Sequence, residues 1–187
     1  MLNKMIVSAF AVAAVATPAF AMASDSAEAV VEAANNDIQS YLSDGTLDAT
    51  EAEQLLEYIN VEEIGRFALG SAARSASDAE LAAYQDAFRG YLAEQLQTHL
   101  SDMAGVSFEI EDTVERREDD VVVETTAKGD GSEDLEDVSW RLKNDNGSWK
   151  VIDIQAMDLW LAIEQRSQFE AKLDENGGDI SALTASL

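Results

Sequence analysis

The spacing of apolar residues changes twice along the chain. Up to about residue 103, apolar residues recur every three or four positions, which is the pattern of a helix with one buried face. From residue 106 they alternate with polar residues, as in strands with one buried face. Helical spacing returns from about residue 159. The pattern predicts helices, then antiparallel strands, then closing helices.

Three shorter helices are predicted first, over 27–42, 50–59 and 61–69. Asp44-Gly45 ends the first, and a capping box of Thr50 and Glu53 opens the second. The third ends at Gly70, with Phe67 among its inward candidates.

A fourth, longer helix carries the strongest pattern. Ser77 and Glu80 form the capping box that opens it, and Gly105 follows its end. The stripe along its buried face consists of Leu81, Tyr84, Phe88, Tyr91, Leu92, Leu96, Leu100 and Met103.

Four strands are predicted over 106–114, 121–127, 138–142 and 149–154, the first with Val106, Phe108, Ile110 and Val114 on one face. A helix over 159–173, a Gly177-Gly178 break and a last helical segment to residue 187 complete the chain. The expected class is α+β. N-terminal helices pack on a curved antiparallel sheet of about four strands, helices close the C-terminal end, and an apolar pocket lies between the layers.

The first residues have the layout of a cleaved secretory signal. Lys4 precedes an apolar run, and small residues offer cleavage after Ala21 or Ala23. We therefore expect residues 1–23 to be a signal peptide and 24–187 to be one domain. The mature protein is expected to be soluble and, in a Gram-negative bacterium, periplasmic.

Charge excludes one class of partner. With 37 Asp plus Glu against 12 Lys plus Arg, the formal net charge is −25, so the basic footprint of a nucleic-acid binder is missing. Anionic bilayers should repel the protein, which leaves only transient contact with membranes. The chain has no cysteine, so disulfides and thiolate sites are excluded.

The stretch LKNDNGSW at 142–149 has two interpretations. Its Asn and Asp oxygens resemble a calcium loop, but the position that requires an acidic first ligand holds Leu142. The flanks alternate as strands do, and Asn146-Gly147 suits a two-residue hairpin. We therefore expect a turn and no metal site.

No catalytic motif is found. His99 is the only histidine, at the end of the long helix near its apolar face, and a packed or capping role is expected for it. Acid pairs are too frequent in this chain to indicate catalysis. No catalytic residue and no cofactor are expected.

Three stretches together resemble the MlaC family, also called toluene-tolerance or phospholipid-binding auxiliary proteins. They are IGRFALG at 64–70 with ARSAS at 73–77; FRGYL at 88–92; and GSWKVID at 147–153, followed by RSQF at 166–169 and the glycine pair. The resemblance extends over nearly the whole mature chain, although members of the family are often basic.

This resemblance implies a soluble periplasmic carrier that holds a phospholipid's acyl chains between helices and sheet. Its partners would be an inner-membrane ABC transporter complex with an MCE domain and an outer-membrane lipoprotein complex, and a monomer is expected. The expected lipid-binding residues are Phe67, Phe88, Leu92, Val106, Phe108, Val123, Trp140, Val151, Leu159 and Phe169.

Arg66 and Arg166 are candidate headgroup contacts, with structural ion pairs as the alternative. Surface acids would serve docking to basic partner patches. Three other functions stay open: a periplasmic enzyme on a similar scaffold, a lipid-free interaction protein, and a carrier of another amphiphile such as a hopanoid.

Overall fold

The computed structural model describes residues 19–101, 103–129 and 134–187, with side-chain surroundings from residue 27 onward except at Asp134. Most of the expected signal peptide lies outside these residues. The helices are α1 (Ala19–Tyr41), α2 (Ala49–Leu55), α3 (Val61–Leu69), α4 (Asp78–Ser101), α5 (Leu161–Glu175) and α6 (Ile180–Thr184). The strands are β1 (Ser107–Arg117), β2 (Asp120–Lys128), β3 (Asp134–Asp145), β4 (Ser148–Ala156) and β5 (Leu159–Trp160).

Side chains satisfy the first N–H groups of α2 and α4. At α4, the Ser77 hydroxyl accepts from Glu80 N at 3.3 Å and Glu80 Oε2 accepts from Ser77 N at 2.9 Å, as expected. The prediction for α2 was wrong by two residues, because its box consists of Asp48 and Glu51. Asp48 Oδ1 accepts from Thr50 N and Glu51 N, at 2.7 and 2.9 Å. The Asp48 carboxylate, and not the Thr50 hydroxyl, therefore caps the start of α2.

The strands form one antiparallel meander in the order β1-β2-β3-β4-β5. The outer side of β4 is occupied by β5 near its end and by a parallel bridge from Ile59 to Val151. Helix α1 packs closely on β1, β2 and β4. Its Asn35 amide donates to Phe108 O at 3.2 Å and accepts from Phe108 N at 3.1 Å, so it bonds to the backbone of the edge strand β1. The α+β class is confirmed, with β5 as a short fifth strand.

A bulge in β1 changes which residues face the helices. Ile110 pairs with Thr125, but Asp112 pairs with Glu124, so Glu111 is an extra residue. Thr113, opposite the buried Val123, then takes the inner position and donates its hydroxyl to Glu28 of α1. Val114 was expected on the face of Phe108; it lies on the opposite face and is exposed.

The interior consists of two apolar clusters. The sheet-side core lies between α1, α2 and the inner face of the sheet, and it includes both Trp140 and Trp149. The helical core joins α3, the first half of α4, α5 and α6. Its buried members are Ala68, Leu69, Tyr84, Phe88, Phe169, Leu173, Ile180 and Leu183.

Candidate functional site

The apolar stripe of α4 is buried along only part of its length. Tyr84 and Phe88, in the first half, are fully buried in the helical core. The elements that pack most closely on this helix are α2, α3 and α6. In the second half, Ala93, Leu96 and Leu100 pack against the sheet-side core but stay partly exposed. The second half of the helix is therefore covered less completely than the first, with α2 on one side of it.

Apolar residues of β1, β4 and the connection after α4 also pack against the sheet-side core and stay partly exposed. We call the combined surface the open seam; it consists of Ala93, Leu96, Leu100, Met103, Val106, Ile110 and Ile154. All seven are apolar, and they come from α4, the connection after it, β1 and β4. Ligand sites for apolar molecules are lined predominantly by accessible apolar side chains such as these.

A rigid aromatic pair lies beside the seam. The rings of Phe108 and Trp140 meet edge to face with centroids 5.4 Å apart. The Trp140 indole N–H donates to Thr125 Oγ1 at 3.0 Å, and that hydroxyl donates to Val138 O at 2.8 Å. Because Trp140 pairs across the sheet with Ile154, this network fixes the wall next to the seam.

The residues expected to bind lipid do not form one group. Five of them lie in or against the sheet-side core: Val106, Phe108, Val123, Trp140 and Val151. Three lie in or against the helical core: Phe88, Leu92 and Phe169.

Phe67 and Leu159 belong to neither cluster and are exposed. The inward placement considered for Phe67 was therefore wrong. Helix α3 packs through Gly65, Ala68 and Leu69 instead.

The seam contains residues that the sequence-based selection omitted. Leu96, Leu100 and Met103 were in the predicted stripe of the long helix, and Ile110 in the alternating pattern of the first strand. Their periodicity was visible, but periodicity does not distinguish the half of a helix that stays open from the half that is covered.

Both candidate headgroup arginines contact nearby acids. Arg66 Nε lies 3.3 Å from Glu62 Oε1, one turn away on α3. Arg166 Nε lies 2.8 Å from Glu170 Oε1, and its guanidinium is 5.3 Å from the centre of the exposed Phe67 ring. Arg166 thereby links α5 to α3.

Two shallow grooves on the surface are lined mainly by polar groups. One, of about 480 Å³, lies near Asn35, Ser107 and Lys128. The other, of about 370 Å³, lies near Asn60, Arg89 and Lys150. Neither has the apolar lining that acyl chains require.

The turn interpretation of LKNDNGSW is confirmed. Asn146 and Gly147 both have positive φ, at 53° and 90°, and they join Asp145 to Ser148 in a two-residue hairpin. Asp153 Oδ1 accepts from Ile154 N and Ala162 N, both at 2.9 Å, and so holds the first turn of α5. Burial raises the pKa of Asp153, and these two hydrogen bonds oppose that shift.

His99 is exposed rather than packed, and its Nε2 lies 3.2 Å from Gln95 Oε1. Among the ion pairs of the described residues, the most buried joins Asp120 to Arg141, with contacts of 3.0 and 2.7 Å. The Arg141 guanidinium lowers the pKa of Asp120.

Across the described residues, no group of His, Asp and Glu is arranged to hold a metal ion. No helix in the same part of the chain is both long and apolar enough to cross a bilayer.

Comparison with solved structures identifies the fold. A phospholipid-binding protein from Ralstonia solanacearum, solved in complex with a phospholipid, matches with a TM-score of 0.72. The match covers 87% of this chain and 93% of the other, at 20% identity. At that identity the match shows a shared fold.

None of the curated proteins matches significantly. The MlaC protein family matches over residues 24–187. That match extends across every strand and every helix described above except the first residues of α1, and the chain belongs to the MlaC family.

Proposed function

We propose that the protein is a soluble phospholipid carrier whose acyl-chain site opens along the seam. The observation that carries this proposal is the set of seven partly exposed apolar residues that pack against the sheet-side core from the second half of α4, the connection after it, β1 and β4. Membership of the MlaC family and a shared fold with a phospholipid-binding protein support the same function.

Free energy gives the reason for such a carrier. Two acyl chains contain roughly 30 methylenes, and exposing them to water would cost on the order of 24 kcal/mol. An apolar site removes most of that cost. The free energy of transferring lipid from a bilayer into the site is then close to zero. The direction of lipid transport therefore comes from partners or from ATP hydrolysis.

The site opens when lipid enters. The first half of α4 is anchored, since Tyr84 and Phe88 stack with centroids 5.6 Å apart and Phe169 meets Phe88 edge to face at 6.1 Å. From Ala93 onward the described part of the helix makes no aromatic contact of this kind: Leu96 and Leu100 are only partly buried, and Ser101 Oγ accepts from Leu47 N at 3.3 Å. Acyl chains therefore enter by moving this end of α4 away from the sheet-side core, while the helical core stays closed.

The headgroup stays outside. Arg66 and Arg166 each contact an acid, and either one would have to exchange that acid for a phosphate. Such an exchange is costly in a chain of net charge −25, so headgroup selectivity is weak. A zwitterionic headgroup is expected to bind at least as well as an anionic one.

The carrier works in the periplasm after export by the signal over residues 1–23. It exchanges lipid with the MCE-domain complex of an inner-membrane ABC transporter and with an outer-membrane lipoprotein complex. The reaction is transfer without covalent chemistry, so no catalytic residue and no cofactor take part.

The test is native mass spectrometry of the mature protein from its own periplasm, with lipid analysis after extraction. We expect a bound species with the mass of a phospholipid that is lost on denaturation. Detection of a bound hopanoid or another amphiphile instead would support a carrier with a different cargo. An unliganded mass, together with failure to bind added phospholipid, would refute the carrier and favour the enzyme or the lipid-free interaction protein.

A further inference from the structure

Exposed large apolar residues are concentrated at one corner of the fold. The described residues include seven of them, and five lie on the start of β3, the turn between β4 and β5, β5 itself and the first turn of α5. We call these five the corner patch: Leu135, Met157, Leu159, Leu161 and Ile163, which are between 48% and 74% exposed. Scattered apolar residues on a surface are ordinary, whereas a concentration of this kind indicates an interaction site.

The corner patch lies at the same end of the sheet as the β1 and β4 residues of the open seam. Val138 pairs with Ala156, and Ala156 pairs with Leu159, so the patch lies at the start of β3 and the end of β4. Through β2, which pairs Ile110 with Thr125 and Thr125 with Val138, the same end of the sheet includes the start of β1. A partner on the patch would therefore contact the protein beside the seam.

The turn that presents Met157 is a strained one. Met157 and Asp158 have φ of 50° and 61°, in the left-handed region that side chains disfavour. The hairpin between β3 and β4 has the same two-residue form, and there Asn146 and Gly147 take those positions with little strain. The chain thus places an exposed methionine where a relaxed turn would have asparagine, and retained strain is characteristic of functional surfaces.

Acids surround the patch. Glu136, Asp137, Asp158 and Glu164 are at least partly exposed, and Glu136 Oε1 accepts from Met157 N at 2.5 Å. Residues 134–140 and 151–165 contain no Lys or Arg. Lys128, which pairs with Asp134, contacts Glu109, and Arg166 contacts Glu170. This acidic border would repel an anionic bilayer, and it would oppose a second copy of the same chain.

We propose that the corner patch is the docking surface for a partner protein whose contact face is apolar at its centre and basic at its border. Apolar contacts at the centre supply most of the affinity, and the opposite charges at the border speed and orient the encounter. Because the patch adjoins the seam, docking places the partner next to the lipid. This inference rests on the proposed function, since it assigns the surface at which the carrier meets its partners.

The experiment uses the full mature chain and the variant Met157→Ser/Ile163→Ser. The matched control is Val114→Ser, which removes an exposed apolar residue from β1, outside the corner patch. The probes are the purified MCE-domain ring and the purified outer-membrane lipoprotein complex of the same organism, offered separately in a surface-binding assay. Each protein is also analysed for bound lipid, for self-association and for binding to phosphatidylcholine vesicles.

We expect the double variant to raise the Kd for at least one probe by about tenfold or more, while Val114→Ser leaves it unchanged. Wild-type affinity should fall as salt increases, and the lipid content of the double variant should equal that of the wild type.

Four outcomes would overturn the proposal. They are wild-type affinity in the double variant, binding of neither probe by the wild type, loss of lipid from the double variant, or patch-dependent binding to vesicles or to a second copy. A wild type that binds a probe through the patch but never carries lipid would refute the carrier and keep the docking surface.

Discussion

Trp140 and Phe108 meet edge to face on the inner side of the sheet, with ring centroids 5.4 Å apart. Both were expected from the sequence to face lipid, and both lie in the sheet-side core next to Ile110 and Ile154. The pair makes a fixed wall, since the Trp140 indole is bonded to Thr125. A bound acyl chain would move along this wall and leave it in place.

Trp140 should therefore report on acyl chains directly. In a protein with Trp149 and Trp160 replaced by Phe, phospholipid brominated on its acyl chains should quench Trp140 fluorescence, because bromine quenches at short range. A protein that keeps only Trp149 is the control, since Trp149 pairs with Asn144 near the opposite end of the sheet. Equal quenching of the two would contradict an acyl site along the seam.

Substitutions in the two cores should separate binding from stability. Leu100→Gln, on the seam, should weaken phospholipid binding about tenfold while changing the free energy of unfolding by less than about 1 kcal/mol, since the leucine is partly exposed. Phe88→Ala, in the helical core, should cost about 3–5 kcal/mol in urea unfolding and leave the affinity of the folded fraction nearly unchanged. The opposite assignment of effects would place the lipid in the helical core.

The Asp120–Arg141 pair should make stability depend on pH. The pKa of Asp120 lies below its ordinary value of 3.8 in the folded protein, so its stabilisation is complete above that value and is lost as pH falls through the folded pKa. Asp120→Asn should cost about 3 kcal/mol at neutral pH and flatten the decline in acid.

The raised pKa of Asp153 acts in the opposite direction, giving stability that is present below its ordinary pKa and lost as pH rises through its folded pKa. Urea unfolding across the acid range measures both effects.

Asp119→Asn, at the exposed neighbouring position, is the control for Asp120→Asn. A similar loss in both asparagine variants would show that the ion pair is not the cause.

Gly65 should be required by close packing of α3 on α4. A Cβ at this position would lie 2.8 Å from Gln85 Oε1 and 2.9 Å from Phe88 Cδ1, so Gly65→Ala should cost about 1–3 kcal/mol. Gly90→Ala, also in a helix but with open space around it, should gain about 0.5–1 kcal/mol. Thermal unfolding of the two variants tests this, and a gain in both would disprove the tight contact.

Relaxing the strained turn should stabilise the protein. Met157→Asn/Asp158→Gly supplies the residue pair already used in the other hairpin, and we expect a gain of about 1–2 kcal/mol in the free energy of unfolding. Replacing Asn146 and Gly147 with Met and Asp should cost a similar amount. If the first change destabilises the protein, the turn is not strained.

Local patterns were sufficient for most of the fold. The helix over Val61–Leu69 and the hairpin at Asn146-Gly147 lie where the sequence predicts them. The errors arise where two local solutions compete. Thr50 and Asp48 both precede a suitable glutamate, and only the structure shows which side chain accepts the first N–H groups. A bulge at Glu111 leaves no sign in an alternating pattern, yet it moves Val114 to the other face.

The candidate site was less accessible to sequence reasoning. Phe67 is as apolar as Phe88, but α3 turns Phe67 outward, near the Arg166 guanidinium. Likewise, Leu96 and Tyr84 belong to one helical stripe, and only the tighter packing of α3, α5 and α6 around Tyr84 distinguishes them. Which apolar surface stays open is a property of the assembled layers.

The two hydrogen bonds between the Asn35 amide and Phe108 oppose aggregation at high protein concentration. The edge strand of a sheet can recruit a strand from another chain, and this is how many proteins begin to aggregate. Asn35 occupies the outward N–H and C=O of Phe108, and therefore blocks one rung of that edge. An extended strand from a neighbouring molecule would have to displace α1 before it could pair there. The proposed carrier has partly exposed apolar side chains, and these two hydrogen bonds keep part of its backbone unavailable to other copies of itself.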